Sequence, residues 1–291
     1  MSAPVSAPAP SHATSGQTVV NPISGHDLTA KQTAAHNYDE ILKRSTNKDD
    51  KHVVVREVVP GIVTFSIPFA RAGAVPIGGR STAIRHGSGN VLIYVSSPHT
   101  PATAEILEGL GEVKWLVTPD GEHGISFEQY IQAYPNAMTI GVPRLKAKMP
   151  KVKWTGIFGE GGETQQYGFE DEMSIHRVSG HVNDELVLHH APSGTLIQAD
   201  MLFNLPPTEQ YSRAGGIPGL MKMMGGGSTM SPDGWVHQKM AFGMAKDKDA
   251  FKKEIAPINA LKWDRIIPCH GDVIETGGKV AWDKVWGKYS A

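Results

Sequence analysis

The sequence predicts an α/β protein in which helices cover mixed β-sheet, on three observations. Short β-branched runs bounded by turn residues open the globular part. Strand-like and helix-like segments then alternate. The second half again places successive strands ahead of helices, the order expected when helices cover the outer faces of a mixed sheet.

Residues 1–30, rich in Ala, Pro, Ser and Thr, read as a disordered tail, because they offer too little apolar surface to offset ordering of the chain. Residues 31–291 read as a single domain, with no linker-like composition inside it. A modest helical pattern from Lys31 to Leu42 suggests a lid or brace on that domain. Strands are expected at 52–55 and 61–65, and a hairpin joins 81–85 to 90–95 through Gly87-Ser88-Gly89. Pro101 marks a helix start, and helical spacing continues to Leu110. A buried strand at 113–117, a helix from Ser126 to Tyr134 and a strand at 138–142 follow. Three further strands are expected at 173–178, 185–189 and 195–198. After a Gly- and Met-rich stretch, a helix at 247–261, a strand at 265–267 and a helix at 280–289 complete the pattern.

Composition narrows the function classes. A net charge of −1, without basic stripes carrying interleaved aromatics, argues against nucleic acid as a partner. No apolar run approaches the ~20 residues of a membrane span. The only cysteine, Cys269, excludes an internal disulfide and a cysteine-based zinc cluster, and it reads as a small buried hydrophobe. The N-terminus lacks the apolar core of a secretory signal, so a cytoplasmic protein is expected.

Chemistry-bearing residues cluster at strand ends. Leu116-Val117-Thr118-Pro119-Asp120-Gly121-Glu122-His123-Gly124 follows one apolar run. Gly180-His181, Ala199-Asp200 and Pro268-Cys269-His270-Gly271 each end another. Imidazole and carboxylate at four such ends suit one convergent site for zinc, iron or manganese.

The order of these groups resembles the metallo-β-lactamase superfamily, which reads a strand, His-x-His-x-Asp-His, Gly-His, a strand-ending Asp and a His-Gly turn. The resemblance covers roughly residues 53–285 and implies a four-layer αβ/βα sandwich. His181, Asp200 and His270 match the last three elements. The first element departs from the pattern: Thr118 and Asp120 stand at the first two histidines, Glu122 at the aspartate, and His123 at the last histidine. The resemblance implies metal ligands at Glu122, His123, His181, Asp200 and His270. Glu122, His123, Asp200 and His270 would form one site. Thr118, Asp120, His181 and Asp200 would form a weaker one, so a single divalent metal is expected, zinc first. Glu122 places its carboxylate one methylene further out than aspartate, a shift of ~1 Å against ligand distances held within about ±0.2 Å. It is therefore a ligand or a general base, with Asp120 as a second candidate for the base.

Other groups carry weaker signals. His189 and His190 adjoin at a strand end, so one is expected to face inward and the other outward. Trp235, His237 and Met223, in or beside the Gly- and Met-rich stretch, are candidate substrate contacts. Leu220-Met221 and Met223-Met224 fit either a mobile lid or an amphipathic helix. Arg144, Lys146, Lys148, Lys151 and Lys153 form a basic run, expected to be a solvated face. The resulting expectation is a metal-dependent hydrolase in which metal-activated water attacks an ester, lactone, thioester or amide of a small molecule. The alternative is a non-catalytic binding module on the same fold, which the missing histidines favour.

Overall fold

The computed structural model describes residues 37–219 and 228–289. The expected tail at 1–30 and the Leu220–Met224 cluster, Met223 included, lie outside the described residues.

Helix α1 (Tyr38–Arg44) precedes the hairpin of β1 (Val54–Val59) and β2 (Ile62–Ile67). A small hairpin of β3 (Ala70–Arg71) and β4 (Val75–Pro76) leads into β5 (Gly79–Arg85) and β6 (Asn90–Tyr94). Then come α2 (Pro101–Leu110), β7 (Glu112–Val117), α3 (Phe127–Ala133), β8 (Met138–Gly141), α4 (Pro143–Lys148) and β9 (Gly156–Ile157). The second half supplies β10 (Met173–Val178), β11 (Glu185–His190), β12 (Thr195–Gln198), α5 (Thr208–Tyr211), α6 (Trp235–Met244), α7 (Lys248–Ala260), β13 (Arg265–Pro268) and α8 (Gly278–Trp286).

Seven strands in the order β1-β2-β5-β6-β7-β8-β9 form one mixed sheet, and β10-β11-β12-β13 form the other. Side-chain alternation sorts the central strands between two buried faces. In β6, Val91 and Ile93 face α1, α2 and α3, while Leu92 and Tyr94 face the second sheet. In β11, Leu186 and Leu188 meet the first sheet, whereas Val187 joins α6, α7 and α8. The result is four layers, helix–sheet–sheet–helix. Strands covered on both faces read as unbroken apolar runs, which is why they were legible.

Local chemistry explains the element ends. Thr100 caps α2 by accepting the Thr103 amide at 3.2 Å, with Pro101 in the first turn. Asp247 caps α7 by accepting the Ala250 amide at 3.0 Å. The unpredicted α4 buries one side chain, Leu145, and the unpredicted α6 buries only His237 and Ala241. Neither carries enough apolar periodicity to announce a helix.

His189 and His190 depart from the inward–outward expectation: both are buried. The strand is covered on both faces, so alternation moves a residue from one buried layer to another rather than into water. His189 Nε2 reaches the Lys262 carbonyl at 3.1 Å, and His190 Nδ1 lies 2.7 Å from Ser193 Oγ.

Candidate metal centre

The parallel pairs β6–β7 and β12–β13 point their carboxyl ends toward one edge of the sandwich, and the loops leaving them form the site. The loop after β7 is pinned to the β10–β11 turn and to the start of β11 by two backbone bonds. Gly121 N–H donates to the Asn183 carbonyl (2.8 Å), and Leu186 N–H donates to the Pro119 carbonyl (2.7 Å). These bonds bring His123 of the first sheet to Asp200 and His270 of the second. Ligand atoms of His123, Asp200 and His270 all lie within 4.8 Å of one another.

Each imidazole is held by its Nδ1. His123 Nδ1 donates to Asp120 Oδ2 at 2.9 Å, and His270 Nδ1 donates to the Gly78 carbonyl at 2.6 Å. With each Nδ1 already committed, Nε2 is the nitrogen that each ring would offer a cation, and the two Nε2 atoms stand 3.3 Å apart. His270 Nε2 lies 3.3 Å from Asp200 Oδ1. Ligands at zinc-like distances of ~2.1 Å in a tetrahedron are separated by about 3.4 Å, so this donor set fits a divalent ion. The second atoms of the ligands are occupied as well. Asn183 Nδ2 donates to Asp200 Oδ2 at 2.6 Å, and the His270 ring stacks on Phe203 with centroids 5.1 Å apart.

Electrostatics follow from this crowding. Burial opposes charge on His123, yet Asp120, Asp200 and Glu185 outweigh it and push the imidazole up to about 10. Burial likewise works against an ionised Asp200, but the His270 hydrogen bond and the charges of His123, His270 and His181 hold its carboxyl well below the usual range. Glu185 goes the other way, raised by burial and by its neighbours Asp120 and Asp200.

The remaining sequence candidates fall elsewhere. Glu122 is not drawn into the triad. Its carboxylate turns outward to Arg144 and to Lys148 Nζ (2.7 Å), so part of the basic run on α4 is spent on this loop. Asp120 is fully buried and already engaged, with Oδ1 accepting the Glu122 and His123 amides (2.6 and 2.9 Å) and Oδ2 holding His123. Thr118 is buried, its hydroxyl 3.4 Å from the Ile140 carbonyl. His181 is buried beside the triad rather than within it, and its Nε2 has no hydrogen-bond partner among the described residues. Trp235 heads α6 with 68% of its surface exposed, away from the pocket. His237 is fully buried behind the site, where its Nε2 accepts the Phe203 amide at 3.1 Å. Cys269 is buried, its thiol pushed up by burial.

Three positions that sequence reasoning missed hold the ligands in place. Glu185 accepts the Ala199 and Asp200 amides (2.7 and 2.9 Å), and Asn183 positions the Asp200 carboxylate. Arg80 is a fully buried residue of β5. It donates to the Pro268 and Gly271 carbonyls (2.6 and 2.7 Å) on either side of His270. The turn residues Asn183-Asp184, two positions past His181, were the available signal for Asn183; Arg80 had none.

A pocket of about 210 Å³ opens over the triad. Phe69, Ile77 and Ile125 supply its apolar wall, and Arg71, Ser96 and Ser126 its polar one.

No family model matches the sequence, and no curated protein matches it. Solved structures do. The chain resembles the metallo-β-lactamase FIM-1 from Pseudomonas aeruginosa in its mono-zinc form, at 13% identity over 81% of this chain and 94% of that one, with a TM-score of 0.51. It is similar to TMB-1, at 13% identity over 82% and 99% of the two chains, and to VMB-1, at 11% over 83% and 99%, both with TM-scores of 0.51. The chain therefore has the metallo-β-lactamase fold. Within that fold it carries a candidate metal-binding triad of two histidines and one aspartate. Among the described residues, no helix is long and apolar enough to cross a membrane.

Proposed function

We propose that the chain is a metal-dependent hydrolase acting on an ester, lactone, thioester or amide of a small molecule. One observation carries the reading: the Nε2 atoms of His123 and His270 and the Oδ1 of Asp200 stand at metal-ligand spacing, with both Nδ1 atoms already committed to other acceptors. Zinc suits this donor set best, with iron and manganese as alternatives. When bound, the ion supplies Lewis acidity and acidifies water for attack on a carbonyl carbon.

The chain's own residues do the rest. Asp120 is a positioning residue that keeps the His123 proton on Nδ1. Asn183 keeps one oxygen of Asp200 turned away, leaving the other facing His270. Phe69, Ile77 and Ile125 give one side of the pocket an apolar wall that favours an apolar group on the substrate. Arg71 and the two serines offer donors to its polar part. Glu122, at the pocket wall and paired with two cations, shapes the entrance rather than the ligand set.

The test is metal content by plasma mass spectrometry on dialysed protein, together with hydrolysis of a panel of esters, lactones, thioesters and amides. His270→Ala is expected to lose one ion per chain relative to wild type and to lose any hydrolysis with it. An unchanged metal content would overturn the assignment of the triad. A metal-loaded wild type inert to the whole panel would leave the binding-module reading in its place.

A further inference from the structure

A second cluster of donor side chains lies at the other end of the sandwich. It joins His86, just past β5, to Asp171 and Glu172, just ahead of β10, and to His190, which ends β11. His86 Nε2 is 2.9 Å from Asp171 Oδ1 and 4.0 Å from Glu172 Oε1. Ligand atoms of these three residues all lie within 4.8 Å of one another. His190 Nε2 stands 3.9 Å from the other oxygen of Glu172. Both imidazoles are buried, and Asp171 is exposed.

The cluster is independent of the pocket. Strand β5 begins at Gly79, beside the carbonyl that holds His270, and runs seven residues to Arg85 before His86. At about 3.3 Å per residue this separates the two places by ~20 Å.

We propose that His86, Asp171, Glu172 and His190 form a second, structural site for a divalent cation, zinc by its chemistry. Two imidazoles and two carboxylates are a zinc-type donor set. The three contacts of 2.9, 3.9 and 4.0 Å straddle the ~3.4 Å of a tetrahedral site; His86, Asp171 and Glu172 already stand close together, and His190, which faces the other oxygen of Glu172, completes the set by moving inward. The supporting groups are in place. His190 Nδ1 lies 2.7 Å from Ser193 Oγ, which accepts its proton and leaves Nε2 free toward Glu172. His86 Nδ1 lies 2.8 Å from Ser88 Oγ and 3.1 Å from the Ser88 amide. Ligation through Nε2 moves the proton to Nδ1, where the hydroxyl accepts it at the expense of the amide contact. The Gly87 amide already orients Glu172, at 3.0 and 3.2 Å from its two oxygens. An ion here ties the turn after β5, in one sheet, to the start of β10 and the end of β11, in the other.

The experiment titrates Zn²⁺ alone into metal-stripped His270→Ala protein and into the His270→Ala/His86→Gln double variant. Metal content and melting temperature are the readouts. The side-chain amide introduced by His86→Gln retains a donor for Asp171 but is a poor zinc ligand, and a His270→Ala/Glu172→Gln variant repeats the test with the Gly87 contact preserved. The proposal expects one zinc per chain in His270→Ala, an upward shift of its melting temperature with zinc, and loss of both in each double variant. It is overturned if His270→Ala takes up no zinc, or if the double variants bind as much as the single one. The pocket site is read separately, as the difference between wild type and His270→Ala, so the two assignments fail independently.

Discussion

His123 and His270, which lie 147 residues apart in sequence, turn their Nε2 atoms toward each other at 3.3 Å while their Nδ1 atoms are held by Asp120 and by the Gly78 carbonyl. Two imidazoles so placed compete for one proton when no cation is present. A cation between them uses both lone pairs at once and removes that conflict. The hydrogen bonds behind the rings are therefore as consequential as the rings themselves.

Asp120→Asn should weaken metal binding about 10–100-fold, the usual cost of losing a partner behind a ligating histidine. An amide facing Nδ1 presents either a weaker acceptor or a clashing donor, and the second case moves the proton to Nε2. Calorimetric titration with Zn²⁺ against wild type checks the value. Affinity equal to wild type would show that Asp120 does not orient His123.

Glu122→Ala should leave the metal content of the pocket unchanged and alter stability by no more than about 1 kcal/mol. Its pairs with Arg144 and Lys148 are solvent-exposed, and such pairs contribute little. Plasma mass spectrometry and urea unfolding test the two halves of this expectation. Loss of an ion would return Glu122 to the ligand set.

Arg80→Ala should destabilise the protein by about 3–5 kcal/mol in urea unfolding, the range for removing one partner of a buried charged network. The guanidinium is fully buried, and its loss strips donors from the Pro268 and Gly271 carbonyls and from Ser66 Oγ. A change below about 1 kcal/mol would mean that water replaces it.

Acid should weaken the fold through His237. Burial lowers its imidazole to about 4, and its Nε2 must stay unprotonated to accept the Phe203 amide. The unfolded chain protonates near 6.5. The neutral side chain's contribution is complete above that pH and is lost as pH falls from about 6.5 toward 4, to a limit of about 3 kcal/mol. His237→Gln, which still offers an acceptor, should flatten the dependence of stability on pH over that window. An unaltered slope would assign the acid sensitivity to other groups.

Sequence alone determined the architecture, and its five ligand candidates included the three residues that the structure brings together. Buried β-strands and amphipathic helices write their faces into the local spacing of apolar residues, and strand ends mark where functional side chains emerge. That is why β10, β12 and the His123, Asp200 and His270 positions were legible, while α4 and α6, with so few buried side chains, were not. Only the tertiary structure decided what each polar group does. Glu122 turns outward because Arg144 and Lys148 come within reach on α4, and Asp120 becomes a support because its oxygens are taken by the turn and by His123. Arg80 reaches a loop nearly two hundred positions away, and His270 takes its orientation from a carbonyl 192 residues upstream. Hydrogen-bond partners so distant leave no periodic trace in the chain, so their choice belongs to the packing of the two sheets.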